Sequence, residues 1–335
     1  MFSTSRFFAT FWARSLEFLR DRSALGWNLI FPLFLVAGLA YTFSGDGKPM
    51  FKVAVVGQGQ HAFLKAPAVE FYNEADFAAG VKKVGRHRVD LLLDFRHTPA
   101  HYWLNPQSQK GLVLEQMLAG SAGEKLQRQA VTGEAVRLVD WLAPGVLGMN
   151  MMWSCLFGLG YVIVRYRKSG YLKRLNATPL TALEFILAQL SSRLLLILLI
   201  TSFVFTASHA ILQFRVVGSY GLLLFITLLG AYAMTSMGLV VSARVKSEEL
   251  AGGLLNLLSW PMLVLSGVFF SLDGAPEPLK IAAQFFPLTH LLDASRAVML
   301  DGAGWLEVRY SLLCLSGMSV LFTVLGAWGF RWTQD

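Results

Sequence analysis

Three places along the chain bring together residue types that could do chemistry. His97 and His101 have the i,i+4 spacing by which two imidazoles on one helix face share a metal ion. Pro99 lies between them and breaks such a helix, and no third ligand accompanies them, so no metal site is expected. Gly57-Gln-Gly-Gln-His-Ala62 has the G-x-G-x-x-A spacing of a phosphate-cradling turn. Pro67 cuts the helix that should follow, and a plain turn in a small α/β domain is the expectation. The third place, Arg165 to Leu180, puts Arg165, Arg167, Lys168, Lys173 and Arg174 within ten residues with no acid among them. Such a cluster attracts lipid phosphate or an acidic protein groove. The chain has no G-x-S-x-G, no H-E-x-x-H and no G-x-x-x-x-G-K-[ST]. No catalytic residue and no bound cofactor are therefore expected, and ATP phosphates would not be cradled here by a P-loop.

The elements that must position the basic cluster are apolar. Mean hydropathy is +0.51 and only 15% of residues are charged, where a soluble domain is nearer one quarter. Six stretches lack Asp, Glu, Lys and Arg: 23–45, 141–164, 194–214, 216–243, 250–272 and 310–330. Each is long enough to cross the ~30 Å hydrocarbon core as a helix, the structure lipid favours because it satisfies its own backbone. The fold class expected is an α-helical polytopic membrane protein with six transmembrane helices. The net charge of +8 would suggest nucleic acid in a soluble protein. Here the cations sort by side instead. With both termini in the cytoplasm, thirteen cations fall inside and four (Arg215, Lys280, Arg296, Arg309) in short outer loops, a positive-inside pattern. A bacterial-type cytoplasmic (inner) membrane and no nucleic-acid partner follow. Cys155 and Cys314 lie in expected spans and read as free thiols.

Residues 1–22 read as a cytoplasmic amphipathic interfacial helix. Phe8, Trp12, Leu16 and Leu19 form its apolar side, and Arg6, Arg14, Glu17 and Arg20 the remaining arc. An uncleaved first span, 23–45, leads to an extracytoplasmic α/β domain at 46–140, with strands at 51–56 and 89–95 and helices at 74–84 and 111–119. Residues 141–335 form a five-helix transmembrane domain. Thr181-Ala-Leu-Glu184 fits a capping box that starts the third span, which puts Glu184 and Arg193 on a cytoplasmic extension of it. Ser247 can cap the fifth span, with Glu248 and Glu249 on its positive dipole. The outer segment 273–302 holds two amphipathic pieces broken at Phe286-Pro287, suited to re-entrant helices that carry Asp293 and Arg296. Polar residues inside the spans, Asn28, Asn150, Ser154, Thr227, Asn256 and Ser259, bind neighbouring helices or line a pathway. The uncharged spans hold no carboxylate, which argues against an ion-coupled carrier.

Three stretches carry a family resemblance: Tyr171-Leu-Lys-Arg-Leu-Asn-Ala-Thr-Pro-Leu180, Trp260-Pro-Met-Leu-Val-Leu-Ser-Gly-Val-Phe-Phe-Ser-Leu272, and Phe286-Pro-Leu-Thr-His-Leu-Leu-Asp-Ala-Ser-Arg-Ala-Val-Met-Leu-Asp-Gly302. In this order the chain resembles the permease subunits of type-2 ABC exporters. The resemblance implies an exporter in which two permeases, a homodimer or a pair of paralogues, flank a pathway through membrane lipid. Separate cytoplasmic P-loop ATPase subunits would bind ATP and Mg. It also implies a coupling helix within Tyr166–Ala177. There Tyr166, Arg167, Lys168, Tyr171, Lys173 and Arg174 would meet the ATPase, Leu172 and Leu175 would be apolar anchors, and Pro179 would end the element. Lys246 and Glu248 form a second contact. Asn28, Asn150, Ser154, Asn256 and Ser259 would line the translocation pathway, and Pro287, Asp293 and Arg296 belong to the outer re-entrant segment. Apolar spans favour a hydrophobic or amphipathic cargo. The rival reading is a membrane-anchored sensor or scaffold whose 46–140 domain binds a ligand or partner.

Overall fold

The computed structural model describes residues 2–42, 51–57, 59, 61–66, 69–97, 99–121, 126–131, 138–245, 247–269, 271–272 and 275–332. They form two units, Met1–Ala40 with Val139–Asp335, and Tyr41–Leu138.

The helical unit begins with α1 (Thr4–Arg20) and α2 (Arg22–Thr42). The second unit follows in the chain with β1 (Phe51–Val56), β2 (Val69–Asn73), α3 (Phe77–Gly85), β3 (Leu91–Asp94), β4 (His101–Leu104), α4 (Gln109–Ala119) and β5 (Gln127–Ala130). Its sheet runs β2-β1-β3-β4-β5. Strand β1 is parallel to β2 and β3, β4 is antiparallel to β3, and β5 is parallel to β4. Alternation splits the central strands between two cores. Val53, Val55, Leu91 and Leu93 face Phe63, Leu114 and Leu118, while Ala54, Val56 and Leu92 face Val84 and Val89. Burial on both faces explains why β1 and β3 are unbroken apolar runs, the two strands legible in the sequence. The polar strands β2 and β5 carry no such run. His101 lies in β4, so the histidine pair has no helix to share.

The helical unit resumes with α5 (Leu138–Lys168), α6 (Tyr171–Asn176), α7 (Ala182–Leu212), α8 (Tyr220–Ser242), α9 (Glu248–Leu265), α10 (Glu277–Ala283), α11 (Pro287–Asp301) and α12 (Arg309–Gly329). Among the described residues four helices, α5, α7, α8 and α12, are long and apolar enough to cross a bilayer. The 21-residue α2 and the 18-residue α9 are the other two long apolar helices. At 1.5 Å per residue the 31-residue α5 and α7 are about 46 Å long, roughly 16 Å more than a hydrocarbon core needs.

Three local features match the sequence reading closely. Thr181 and Glu184 close the capping box that starts α7. The Ser247 hydroxyl accepts the Leu250 N–H at the start of α9. Pro287 opens α11 at a position where its missing N–H costs nothing.

Helix α1 is amphipathic, and part of its polar arc is enclosed. Its arginine and serine face the protein, with Arg14, Ser15 and Phe18 buried, while Phe8 and Trp12 are more than 60% exposed. Ser15 and Ser192 hydrogen-bond at 2.8 Å between α1 and α7, and Arg6 pairs with the buried Glu184 at 2.8 Å. The Arg14–Ser15 part of the polar arc is therefore an internal docking face, because Ser192 and the α5 backbone offer it partners that water would otherwise supply.

Helix α11 is also more enclosed than a re-entrant surface helix. Leu288, Leu291, Leu292 and Met299 are buried, and so is Arg296. Its guanidinium donates to the Val268 carbonyl at 3.1 Å and lies 3.7 Å over the Trp141 ring, which ties α11 to α5 and to the turn after α9. Asp293 stays exposed.

Candidate functional site

The basic stretch folds as a short helix slung between two long ones. Gly170 adopts φ 70°, a left-handed conformation that reverses the chain after α5 and that side chains disfavour. The six residues of α6 follow. The Thr178 hydroxyl donates to the Leu175 carbonyl at 2.6 Å and receives the Leu180 N–H at 3.4 Å, closing the turn before Pro179 and the α7 cap.

The side chains of this stretch divide into inward and outward sets. Leu172 is fully buried with Leu159, Ile163, Phe185, Ile186 and Leu239, and Leu175 packs half-buried beside them. Leu172, expected as an anchor for a partner, anchors α6 to its own bundle instead, because its side chain is fully enclosed by that core. Arg167 also turns inward. It donates to the carbonyls of Ser242 at 3.0 Å, Ala243 at 2.9 Å and Val245 at 2.7 Å, and to that of Arg331 at 3.3 Å. A helix C-terminus leaves such carbonyls without intrahelical partners and partly negative, so Arg167 clasps α5 to the end of α8. Tyr171, Lys173, Arg174 and Pro179 are exposed.

Neighbouring groups hold the base of the loop. Glu17 of α1 pairs with Arg14 at 2.9 Å and Arg165 at 3.1 Å, and accepts the Tyr166 hydroxyl. The Tyr166 and Tyr171 rings lie 4.7 Å apart. Lys168 pairs with Glu248 at 3.4 Å, which joins the α5 end to the first turn of α9. Lys246 lies outside the described residues. A cavity of about 260 Å³, lined by Arg14, Glu17, Tyr171, Leu175 and Gln189 among others, separates α1 from α6.

A second cluster lies within the bundle. Ser154 donates its hydroxyl to the Asn28 side chain, and the same Ser154 offers its carbonyl to both Nε and a terminal nitrogen of Arg193. Phe18, Asn28, Asn150, Ser154, Arg193 and Thr201 line one narrow void. Three of the expected polar residues, Asn28, Asn150 and Ser154, are thus brought together. Asn256 and Ser259 do not line that void: Asn256 is exposed, and its carbonyl accepts the Ser259 hydroxyl within α9.

Arg193 is more enclosed by protein than the sequence alone indicates. It is buried, about 16 Å along α7, with its guanidinium 5.0 Å from the Phe18 ring centroid. It is therefore packed among α1, α5 and α7. Gly158 makes the room, since a Cβ there would collide with the guanidinium. The capping box at Thr181 was the available signal, because it fixes Arg193 three turns inside the helix.

Comparison with known proteins adds an independent line. Residues 98–300 match the family described as "ABC-2 type transporter". The chain is 25% identical over 185 residues to the inner membrane transport permease YhhJ of Escherichia coli K12, covering 55% of this chain and 50% of that protein. It is 24% identical over 183 residues to the probable multidrug ABC transporter permease YbhS of the same strain, covering 54% and 48%. A third similarity, 26% over 232 residues, is to ABC transporter G family member 20 of Dictyostelium discoideum, covering 65% of this chain and 30% of that protein. The chain spans about half the length of the two bacterial relatives.

Proposed function

The chain belongs to the ABC-2 type transporter family, and from that premise we propose that it is the permease subunit of an ATP-driven exporter, coupled to a separate ATPase through α6. It is a multi-pass membrane protein with the transport role of a permease. In the proposed topology α2, α5, α7, α8, α9 and α12 are the six spans, and α1 lies in the cytoplasmic interface. Both termini are cytoplasmic, and the sheet domain lies on the opposite side.

One observation carries the coupling assignment. α6 buries Leu172 in a core shared with α5, α7 and α8, and turns Lys173 and Arg174 outward. A push on the exposed cations is thereby transmitted to three long helices through packed side chains, the requirement for a lever. The inward Arg167 stiffens the same lever and is not itself a docking contact. ATP and Mg would sit on the partner, whose closure moves α6. A second permease copy, identical or paralogous, completes the pathway, and Asn28, Asn150 and Ser154 face or flank it. A hydrophobic or amphipathic cargo suits a bundle whose buried lining is mostly apolar. Outward movement is supported by the exporter-like stretches at 171–180, 260–272 and 286–302.

The test is a pull-down joined to a coupling assay. The tagged chain is expected to bring down an ABC-type P-loop ATPase. The pair Lys173→Glu and Arg174→Glu is expected to cut transport per ATP hydrolysed at least tenfold in proteoliposomes without changing the amount of permease. A chain that recruits no such ATPase, and whose reversed variant is unchanged, would overturn the assignment.

A further inference from the structure

The half of the bundle away from α6 contains a cavity of about 360 Å³ between α5, α7, α8 and α11. Its volume falls in the range of small-molecule sites, about 300–1,000 Å³. The inner wall is apolar: Leu147, Met151, Leu291, Leu292 and Met299 line it and are buried. Two of them are methionines, whose flexible thioethers adapt to ligands of varied shape. The outer wall is different. Ser202, Thr206 and Leu224 are exposed at its mouth, beside the exposed Phe203 of α7 and Phe225 of α8. In the proposed topology the mouth therefore opens sideways, toward the bilayer, where an apolar molecule is already concentrated.

The polar groups of the lining limit what fits. No Asp, Glu, Lys or Arg is among them, so a phosphate or carboxylate would enter without a counter-charge. Thr206 donates its hydroxyl proton to Ser202 O and Thr227 donates its own to Leu223 O, both at 2.8 Å. Their oxygens are left as acceptors. His209 also lines the cavity, but its Nδ1 is sealed from it, so the exposed Thr206 hydroxyl oxygen is the acceptor a ligand meets at the mouth.

We propose that this cavity binds an uncharged amphiphile taken from the bilayer. Its apolar body lies against Met151 and Leu291, and its hydroxyl or amide hydrogen is donated to the Thr206 hydroxyl oxygen. This names the cargo class and rests on the permease reading for that purpose. Occupancy itself requires neither ATP nor an ATPase.

The full chain in lipid nanodiscs, without any ATPase, is irradiated with a hexadecanol bearing a mid-chain diazirine, and the adducts are mapped by mass spectrometry. Adducts should concentrate on peptides spanning 201–209 and 220–227, at least fivefold over the lipid-facing 313–324 stretch of α12. Unlabelled hexadecanol should compete, and hexadecyl phosphate at the same concentration should not. Thr227→Phe, which fills the cavity, should abolish the enrichment, and Thr206→Val, which keeps the shape and removes the acceptor, should weaken competition about fivefold. The two variants act at different points of the site, so either alone suffices if the other fails to fold. Even labelling of the cavity and α12 peptides, equal competition by the phosphate, or enrichment that survives a folded Thr227→Phe would each overturn the proposal. Failure here with ATPase coupling intact would leave the permease reading standing, and loss of coupling with labelling intact would do the reverse.

Discussion

Arg193 and Gly158 form a pair in which one residue exists for the other. The guanidinium occupies the volume a Cβ at position 158 would need. Gly158→Ala should therefore cost about 1–3 kcal/mol of stability, the usual penalty for overpacking a core. Combined with Arg193→Gln the two losses should be less than additive, because the shorter side chain vacates the contested space. Thermal melts of the four proteins in detergent read this cycle, and full additivity would show that the two residues do not share the space. In the sheet domain, Asp94 is fully buried and forked to Arg96 at 2.7 Å. The hydrogen bonds from the Arg96 side chain hold its carboxyl below the ordinary value of 3.8. A lowered folded value contributes stability that is full above the ordinary value and fades as pH falls through the folded one. Asp94→Asn should thus weaken hydrogen-exchange protection of β3 at pH 7, and the difference from the parent protein should shrink as pH drops below 3.8. A difference that is constant with pH would rule out a charge-based origin. Neither pair was legible in the chain: position 158 is one of thirty glycines, and Asp94-Phe-Arg96 looks like any polar turn until β3 buries the carboxylate.

Caps and helix faces carry the element scale. The Thr181 capping box was readable because it is a local pattern of four residues, and it appears where expected. It serves more than α7, since Glu184 also receives Arg6 and the Ser3 N–H from α1. Thr181→Ala should cost about 1 kcal/mol through the lost cap and raise amide exchange in the first turn of α7. Glu184→Ala should in addition release α1, seen as new proteolytic cuts between residues 3 and 20. Protection of α1 that is unchanged in Glu184→Ala would mean that the Ser15–Ser192 seam alone holds it. The amphipathic pattern of α1 was equally plain, but its direction was not. Periodicity says that a helix has two faces; it does not say which face meets protein and which meets lipid. In α1 the polar face found Glu184, Ser192 and the Gly158 carbonyl of α5, and Phe8 and Trp12 were left outside.

At the scale of the molecule, the proposed topology puts α6 and the sheet domain on opposite sides of a bilayer. Introduced cysteines test this against the two native thiols, one buried and one partly buried. Lys173→Cys should react with an impermeant maleimide only in inside-out vesicles, and Gln107→Cys only in right-side-out ones. Reaction of both from the same side would overturn the topology. By itself the sequence determined that the protein is helical and multi-pass, that an α/β insertion follows the first apolar run, and that a short basic element joins α5 to α7. These follow from composition, period and local caps, which neighbouring residues specify without knowledge of the rest of the chain. Only the tertiary structure decided that Leu172 and Arg167 turn inward, that Arg193 joins Asn28 and Ser154, and that four helices leave a cavity beside His209. Those facts depend on which helices become neighbours, and a buried cation acquires its meaning from groups that lie far from it in the chain.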